Sequence, residues 1–356
     1  MRTFGVEEEF LLATASSPVL AAAGDAVTTT AAAASDGQFE HEFKQQQAEL
    51  GTRPTESVAE LGAELRQRRA ELASAACAHG ARLLACGTSP LDQRVTTTPG
   101  PRYERMTDLF GRVARISLTC GMHVHVSVES PAEGVAILDG IRSWLPVVLA
   151  LSANSPFFAG EDTGYASYRT ILWGQWPTAG AADPFGDVEG YERARSALVA
   201  SGAAMDDGMI YFDARLSSRY PTVEVRVADV CLDVDDAATI AAIVRGLCAS
   251  AAGADRPAPA RGELLRAASW QAARSGVEQQ LVDVEGARTV PAWNLVDRLI
   301  DFIRPALRAT GDADRVGDGL DEIRRRGTGS ARQRAAYANG GAIDSVIDTV
   351  AALTTR

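Results

Sequence analysis

Three short segments, far apart in the chain, each place two side chains of catalytic type at positions i and i+2. The pairs are Glu7 with Glu9, His123 with His125, and Glu224 with Arg226. Side chains alternate along a β-strand, so the members of each pair share one face. Carboxylates, imidazoles and a guanidinium that face one cleft suit divalent cations and phosphate. The spacing therefore predicts a site that handles metal-bound phosphate groups.

The residue inside each pair indicates what lies behind the strand. Val124 separates the two histidines, and Val225 separates Glu224 from Arg226. Such strands present an apolar back to a core and a charged front to a cleft. Glu8 separates the first pair and faces the other way, so we expect a structural role for it.

A fourth acidic segment lies between residues 42 and 49. Glu42 and Glu49 flank a stretch rich in glutamine, and Glu49 follows Ala48 as on a strand with one polar face. Taken alone, such a segment is more often a surface hairpin. The segment becomes a metal-site candidate if Glu49 meets Glu7 and Glu9.

Each pair also has a simpler explanation. Two adjacent carboxylates are costly unless a cation neutralises them, but a solvated strand edge also accommodates them. An acid and a guanidinium on one strand face can form a cross-strand ion pair. The two histidines can be hydrogen-bonded structural residues. As a rival functional explanation, the H-x-H pair can bind zinc, which usually takes three protein ligands. His41 and His79 lie in unrelated contexts, which makes a histidine-rich zinc site hard to complete.

Two further arginines are candidates for holding an amino-acid substrate. Arg169 and Arg215 follow Tyr-Ala-Ser-Tyr and Asp-Ala, and a guanidinium holds a carboxylate bidentately. Taken alone, each is more often a surface salt bridge. The chain has neither a G-x-x-x-x-G-K-[ST] loop nor a G-x-G-x-x-G loop. If ATP binds, it would bind through metals and arginines on a sheet.

Composition narrows the class of protein. The chain has 356 residues with 46% hydrophobic content and a net charge of −11, which argues against a nucleic-acid surface. Its five cysteines are odd in number and form no C-x-x-C motif, so we expect free, buried thiols of a reducing compartment. The N-terminus enters a charged strand directly, and no apolar stretch is long enough to span a bilayer. The sequence predicts a cytoplasmic protein without a membrane partner.

The pattern of elements predicts an α+β fold. Strands are expected at 4–14, 81–87, 120–128, 210–214 and 222–230. Helices are expected at 55–77, 103–118 (or only a helical turn), 132–152 (interrupted at Pro146), 189–200 and from 235 onward. The expected loops are 20–35 (or an irregular hairpin), 154–190, 253–261 and 310–319. Helices and strands do not alternate strictly, so an antiparallel sheet with one polar catalytic face and helices on the other is expected, in a single domain 1–356.

These motifs, in this order, resemble those of the glutamate–cysteine ligase type 2, or carboxylate–amine ligase, family. The matching segments are Gly5–Phe10, Glu42–Thr52, Cys120–Val126, Ala153–Phe157, Tyr165–Arg169 and Thr222–Asp229. The segments around the histidines and around Glu224 also look like the metal and phosphate segments of glutamine synthetase, whose catalytic fold this family shares.

The resemblance implies ATP, Mg²⁺ (or Mn²⁺) and a γ-glutamyl phosphate that an amine attacks. Carried over position by position, the cation ligands are Glu7, Glu9, Glu49, His123 and Glu224. His125 and Arg226 correspond to contacts with the nucleotide phosphates and, with Glu224, are the expected catalytic residues. Arg169 and Arg215 are carried over to glutamate binding.

The expected activity is that of glutamate–cysteine ligase, a ligase that forms carbon–nitrogen bonds. Its partners would be small molecules, namely glutamate and an amine such as cysteine, and homo-oligomerisation is left open. The alternatives are a γ-glutamyl ligase with another acceptor, a metal-dependent amidohydrolase that uses the H-x-H pair, and a ligand-binding homologue without turnover. No residue of the acceptor pocket can be named from the sequence.

Overall fold

A seven-stranded antiparallel sheet organises the chain in the computed structural model, which describes residues 1–91, 95–253 and 260–356. The strands of this sheet are β1 (Phe4–Thr14), β2 (Gln38–Glu40), β3 (Gln47–Gly51), β4 (Ala81–Leu84), β5 (Gly121–Ser127), β8 (Ala214–Leu216) and β9 (Thr222–Asp229). Their order in the sheet is β2-β3-β1-β5-β9-β8, and β4 also pairs with β1. Two hairpins stand apart from it, β6 (Phe157–Phe158) with β7 (Glu161–Asp162), and β10 (Gln280–Asp283) with β11 (Arg288–Pro291).

Helices account for most of the remaining described chain. In order they are α1 (Gly24–Ala34), α2 (Val58–Ala78), α3 (Pro101–Phe110), α4 (Arg112–Ile116), α5 (Pro131–Ile141), α6 (Leu145–Ser152), α7 (Tyr168–Trp173), α8 (Val188–Ala200), α9 (Val234–Ala252), α10 (Gly262–Ser275), α11 (Ala292–Thr310), α12 (Ala313–Arg326), α13 (Gly329–Gly340) and α14 (Ile343–Thr354). Helix α2 shows the local logic, because Ser57 caps it by accepting from the Glu60 backbone nitrogen, and Leu61, Leu65 and Leu72 are buried at helical spacing.

The core lies on the side of the sheet away from the charged pairs. Valines that alternate with the catalytic-type residues, such as Val124 and Val225, are buried there. Helix α9, which is buried over most of its length, contacts β1, β5, α2 and α11. One hydrophobic cluster extends from Phe4 to Val350, which is compatible with the expected single domain. The α+β expectation, with helices behind a polar sheet face, is confirmed.

Several expected local structures were wrong. The Ala/Thr-rich stretch 20–35 contains the helix α1, because Val27 and Ala31 pack into the core against neighbouring elements. The predicted loop 154–190 contains β6, β7 and α7, and the predicted loop 310–319 is mostly the start of α12. Residues 210–213 are not a regular strand, which begins only at Ala214.

Three further expectations concern the helix interrupted at Pro146, the loop 253–261 and the cysteines. The helix predicted over 132–152 is two helices, with Pro146 in the first turn of α6, where a missing N–H costs nothing. The predicted loop 253–261 falls largely on residues outside the described part of the chain. All five cysteines are free, but Cys77 is exposed and not buried as expected.

No single helix in the described ranges is long and apolar enough to cross a membrane. Helices α5 and α6 meet the length and composition criteria only as a pair, and they are bent by 72° at their junction.

Candidate active site

The register of the four central strands brings the charged pairs together. Glu7 on β1 lies opposite His123 on β5, and Glu9 lies opposite Glu49 on β3. One strand further, His125 lies opposite Glu224 on β9. Directly opposed residues of an antiparallel pair point to the same face. Residues separated by more than two hundred positions in sequence therefore share one surface.

A cleft of about 530 Å³ lies over this surface, and it is called the main cleft below. Its volume is in the range of small-molecule sites. Among its lining residues are Glu7, Glu9, Glu42, Glu49, His123, His125, Arg215, Glu224 and Arg226. The condition set for Glu49, that it meets Glu7 and Glu9, is thus fulfilled by the fold.

Two groups of side chains in the main cleft have the geometry of cation sites. Ligand atoms of Glu7, Glu49 and His123 lie within 4.8 Å of one another, as do those of Glu7, His125 and Glu224. Nε2 of His123 is buried without a hydrogen-bond partner in the described chain, and Nε2 of His125 lies 3.4 Å from Glu7 Oε2. Two carboxylates and one imidazole per group form a donor set that suits Mg²⁺ or Mn²⁺. These residues therefore fit the cations that the sequence resemblance implies.

Excess negative charge marks the β3 side of the main cleft. Burial and the charge of Glu42 raise the pKa of Glu9 to about 7, although Gly121 donates its backbone N–H to Glu9 Oε2 at 2.6 Å. Burial and Glu42 also raise the pKa of the Glu49 carboxyl well above its usual range. Carboxylates crowded in this way gain most from a bound cation, which would replace the missing positive charge.

The imidazoles are held in orientations that suit ligation. Nδ1 of His123 lies 3.4 Å from Glu7 Oε2, and burial together with the nearby Arg226 guanidinium lowers the pKa of His123 to about 4. The ring is thus neutral near pH 7, which is the form that binds metals. Burial disfavours ionisation of Glu7, but its contacts with His123 and His125 outweigh this and hold its pKa below the usual range.

Glu224 lies between two guanidiniums. Arg215 binds it bidentately, with Nε at 2.8 Å and Nη2 at 3.2 Å from its two oxygens, and Arg226 donates to it through Nη1. Burial opposes ionisation, yet the charges of Arg226 and Arg215 hold the pKa of Glu224 below its usual range. The E-x-R motif therefore does form the ion pairs that the simpler explanation predicted. Arg226 nevertheless keeps a buried Nε without a partner in the described chain.

The two arginines expected to hold glutamate occupy different places. Arg215 lines the main cleft but is engaged by Glu224. Arg169 on α7 lines a second cavity of about 240 Å³, which is called the side cavity below. Trp173 and Arg226 line both spaces. Both glutamate assignments stay predictions.

The wall opposite the sheet contains residues that the sequence did not single out. They are Arg102, Tyr103, Trp173, Trp176, Asp206 and Tyr211. Arg102 and Asp206 form a bidentate ion pair at the rim, with Arg102 Nη2 2.9 Å from Asp206 Oδ1. The Gly-, Pro- and Trp-rich composition of 154–190 was a signal for the tryptophans. No local signal pointed to the ion pair, whose partners are 104 residues apart.

Comparison with known proteins gives a consistent family. The sequence profile of the glutamate–cysteine ligase family 2 matches residues 3–349. A relative from Frankia alni, provisionally named glutamate–cysteine ligase 2-2, is 50% identical over 100% of this chain and 97% of its own length. One from Paenarthrobacter aurescens, provisionally named glutamate–cysteine ligase 2-1, is 45% identical over 99% and 95%.

Solved structures agree on the fold. A glutamate–cysteine ligase from Francisella tularensis, crystallised with AMP, superposes with a TM-score of 0.72 at 14% identity, covering 99% of this chain and 88% of its own. A bifunctional glutathione synthetase from Pasteurella multocida gives 0.69 at 15% identity, covering 99% and 52%. At these identities the likeness shows the fold alone.

The sheet face and its carboxylate-rich cleft are those of a ligase that joins carbon to nitrogen. Within that class, the chain belongs to the glutamate–cysteine ligase family 2. The family resemblance drawn from the ordered motifs is confirmed. The roles of the individual site residues stay predictions.

Proposed function

We propose that this enzyme is an ATP-dependent glutamate–cysteine ligase, which converts L-glutamate, L-cysteine and ATP into γ-glutamylcysteine, ADP and phosphate. One observation carries the proposal: a single sheet face gathers two carboxylate-rich cation groups next to a buried guanidinium, Arg226. Phosphoryl transfer needs positioning and charge stabilisation more than covalent help from the protein, and this arrangement supplies both.

Each side chain has a role that its place supports. Glu7, Glu9, Glu49, His123 and Glu224 would hold Mg²⁺ or Mn²⁺, and His125 and Arg226 would contact the nucleotide phosphates. When bound, the cations neutralise phosphate charge and orient the phosphoryl group. His123 is neutral at working pH, which is the form of imidazole that binds metals, and its Nε2 has no hydrogen-bond partner in the described chain. Glu224 fixes the guanidinium of Arg226 through Nη1 and leaves its Nε unpaired.

The chemistry proceeds in two displacements. A γ-carboxylate oxygen of glutamate attacks the γ-phosphorus of ATP, the bond to the bridging oxygen breaks, and ADP leaves. The amine then attacks the carbonyl carbon of γ-glutamyl phosphate, phosphate leaves with the bonding electrons, and the amine loses a proton to solvent. Arg226 would stabilise the charge on the transferring phosphoryl group. The aromatic wall with Trp173 and Trp176 would exclude water from the intermediate.

The donor sets weigh against the amidohydrolase alternative. In the described chain, the two histidines fall into separate cation groups, and each group contains two carboxylates. A zinc site built on the H-x-H pair would need both imidazoles on one ion. The buried free thiols also suit the reducing cytoplasm, where we place the reaction.

The order of the chemistry can be tested with isotope-labelled glutamate. ADP release is measured with glutamate and a panel of amines, using glutamate labelled with ¹⁸O in its γ-carboxyl group. One label per turnover should appear in the released phosphate. Unlabelled phosphate accompanied by AMP and pyrophosphate would mean adenylation instead. Ligand binding without any ADP release would identify a homologue that has lost turnover.

Metal dependence provides a second test. We expect protein stripped with a chelator to be inactive and to recover with Mg²⁺ or Mn²⁺, because hard cations prefer carboxylate-rich ligand sets. The proposal fails if the untreated protein contains stoichiometric zinc and only zinc restores the activity.

A further inference from the structure

The side cavity contains two opposite charges that do not neutralise each other directly. Arg169 is only 2% exposed, and its Nε has no hydrogen-bond partner in the described chain. Asp213 lines the same cavity, and no hydrogen bond or ion pair between described residues links the two side chains. Burial raises the pKa of Asp213 to about 6, while Arg169 pulls it the other way. Asp213 is half-buried, and the guanidinium of Arg169 donates only to backbone oxygens. Within the described residues neither charge has an opposite charge in direct contact, which leaves both available to a ligand.

The fold holds Arg169 firmly in this place. Strand β8 begins at Ala214, which pairs with Val225 of β9. The guanidinium of Arg169 donates to the backbone oxygens of the next two β9 residues, Arg226 at 3.3 Å and Val227 at 3.5 Å. A Cβ on Gly121 would lie 2.3 Å from Arg169 Nη2, so only glycine permits this close approach. The guanidinium is thus fixed before any ligand arrives, which lowers the entropic cost of binding.

The remaining walls of the side cavity are mainly apolar. Leu145 and Leu149 of α6 line it together with Phe212 and Val227. Arg266 and Trp270 of α10 are exposed and line it from the outside. A volume of about 240 Å³ can hold a small molecule with an apolar side chain. Asp213, Arg169 and the apolar walls offer partners for the ammonium, carboxylate and side chain of an α-amino acid, and Arg226 and Arg266 add positive charge to the lining.

We propose that the side cavity binds the amine acceptor, an uncharged α-amino acid with a small apolar or thiol side chain. Its ammonium group would meet Asp213, and its carboxylate would meet Arg169. This inference rests on the ligase activity proposed above and gives Arg169 a different carboxylate from the one expected by resemblance.

The position of Asp213 favours the acceptor over glutamate. The backbone nitrogen of Arg226 donates to the Asp213 backbone oxygen at 2.9 Å, and Arg226 lines both the main cleft and the side cavity. An amine held by Asp213 therefore lies beside the proposed phosphoryl site. The α-amine is the reacting group of the acceptor, whereas glutamate reacts through its γ-carboxylate, at the opposite end of the molecule.

Asp213→Asn tests this assignment with two nucleophiles. Hydroxylamine needs neither an ammonium site nor a carboxylate site, so glutamyl hydroxamate formation reports glutamate activation alone. We expect kcat/KM for L-cysteine to fall on the order of tenfold or more, because a charged contact is lost. Hydroxamate formation and the KM for glutamate should stay within about twofold. The matched control is Asp318→Asn, which removes an exposed carboxylate on α12 that lines neither cavity.

A second variant removes no charge. Ala181→Leu adds carbon atoms to the wall of the side cavity, so it should weaken L-cysteine use and spare hydroxylamine use. Either of two results would overturn the acceptor assignment: a raised KM for glutamate in the hydroxamate assay of Asp213→Asn, or unchanged L-cysteine kinetics in both variants.

Calorimetry tests binding to the side cavity independently of turnover. A chain that turns over no acceptor would refute the proposed function but not the binding site. L-cysteine and L-alanine should bind the full chain in the presence of ADP and Mg²⁺, and Asp213→Asn should lose that binding. Cysteamine, which lacks the carboxylate, should bind at least about tenfold more weakly than L-cysteine. Absence of amino-acid binding to the wild-type chain, or equal binding to both proteins, would overturn the inference.

Discussion

Glutamate side chains on the two faces of β1 lie in opposite environments. On the helix side, Glu8 is fully buried and binds Arg69 through two contacts of 2.5 and 2.8 Å. The other N–H groups of Arg69 reach the backbone oxygens of Cys231, Leu232 and Thr354. On the cleft side, Glu7 and Glu9 crowd against other acids and against imidazoles with unpartnered nitrogens.

This contrast separates charges that serve the fold from charges that serve a ligand. A buried ion pair with all its hydrogen bonds made holds the structure and offers nothing to a ligand. A cluster with excess charge and unpartnered nitrogens costs stability until something binds. Glu224 belongs partly to both groups, since two guanidiniums hold it while it faces the cleft.

The largest expected effect is on the helix side. Arg69→Met should lower the free energy of unfolding by roughly 3–5 kcal/mol, because Glu8 would be left buried and unpaired. Urea unfolding followed by tryptophan fluorescence measures this. Arg325→Met, which breaks only an exposed pair on α12, is the control and should leave the unfolding midpoint unchanged. A loss below about 1 kcal/mol would remove the distinction between the two faces.

The next effect concerns activity and lies on the cleft side. Glu224→Gln and Arg226→Ala should each reduce ATP turnover by about a hundredfold or more, because both groups act on the transition state. Circular dichroism should show both variants folded, with smaller losses of unfolding free energy than Arg69→Met. If both unfold, the cross-strand ion pair is their main role. Near-normal rates would place the active site elsewhere.

The smallest effect is a pH dependence of stability in the metal-free protein. Glu9 binds its proton more tightly in the folded state, with a pKa of about 7 against an ordinary value of 4.5. Its contribution is therefore fully present below about pH 4.5 and is lost as the pH rises to about 7. The raised pKa of Glu49 acts in the same direction.

Thermal unfolding at a series of pH values checks this sign. The lowered pKa values of Glu7 and Glu224 act only on the acid side, but the lowered pKa of His123, about 4 against an ordinary value of 6.5, makes stability rise with pH above 4.5. The contribution of Glu9 is therefore read from the difference between the wild type and Glu9→Gln. Relative to the wild type, metal-free Glu9→Gln should lose less stability as the pH rises from 4.5 to about 7, and saturating Mg²⁺ should stabilise the ionised carboxylates in the same range. Identical pH profiles of the two metal-free proteins would contradict the crowding of these acids.

The sequence predicted which side chains share a face because side chains alternate along a strand with a period of two residues. That period alone separates Glu8 from Glu7 and Glu9. It also places the two histidines on one polar face and Glu224 with Arg226 on another, each face backed by valine. The ordered motifs also identified the family. Fold class followed from the irregular sequence of helices and strands.

Elements with weak local signals were misjudged. Helix α1 has few large apolar residues, so its stability comes from packing of Val27 and Ala31 and not from its own periodicity. The turns and short strands of 154–190 depend on contacts with distant residues, such as the hydrogen bonds from Ala166 and Ser167 to the Ala273 backbone oxygen.

The sequence by itself therefore determined which side chains face the cleft, because alternation is a local property of an extended backbone. Only the tertiary structure decided their partners, because strand order and register are set by packing between distant segments. It joined Glu8 to Arg69 and Glu224 to Arg215, and it moved Arg169 from the main cleft to the side cavity. Sequence spacing cannot predict such pairs, because the fold of the whole chain determines which distant residues come into contact.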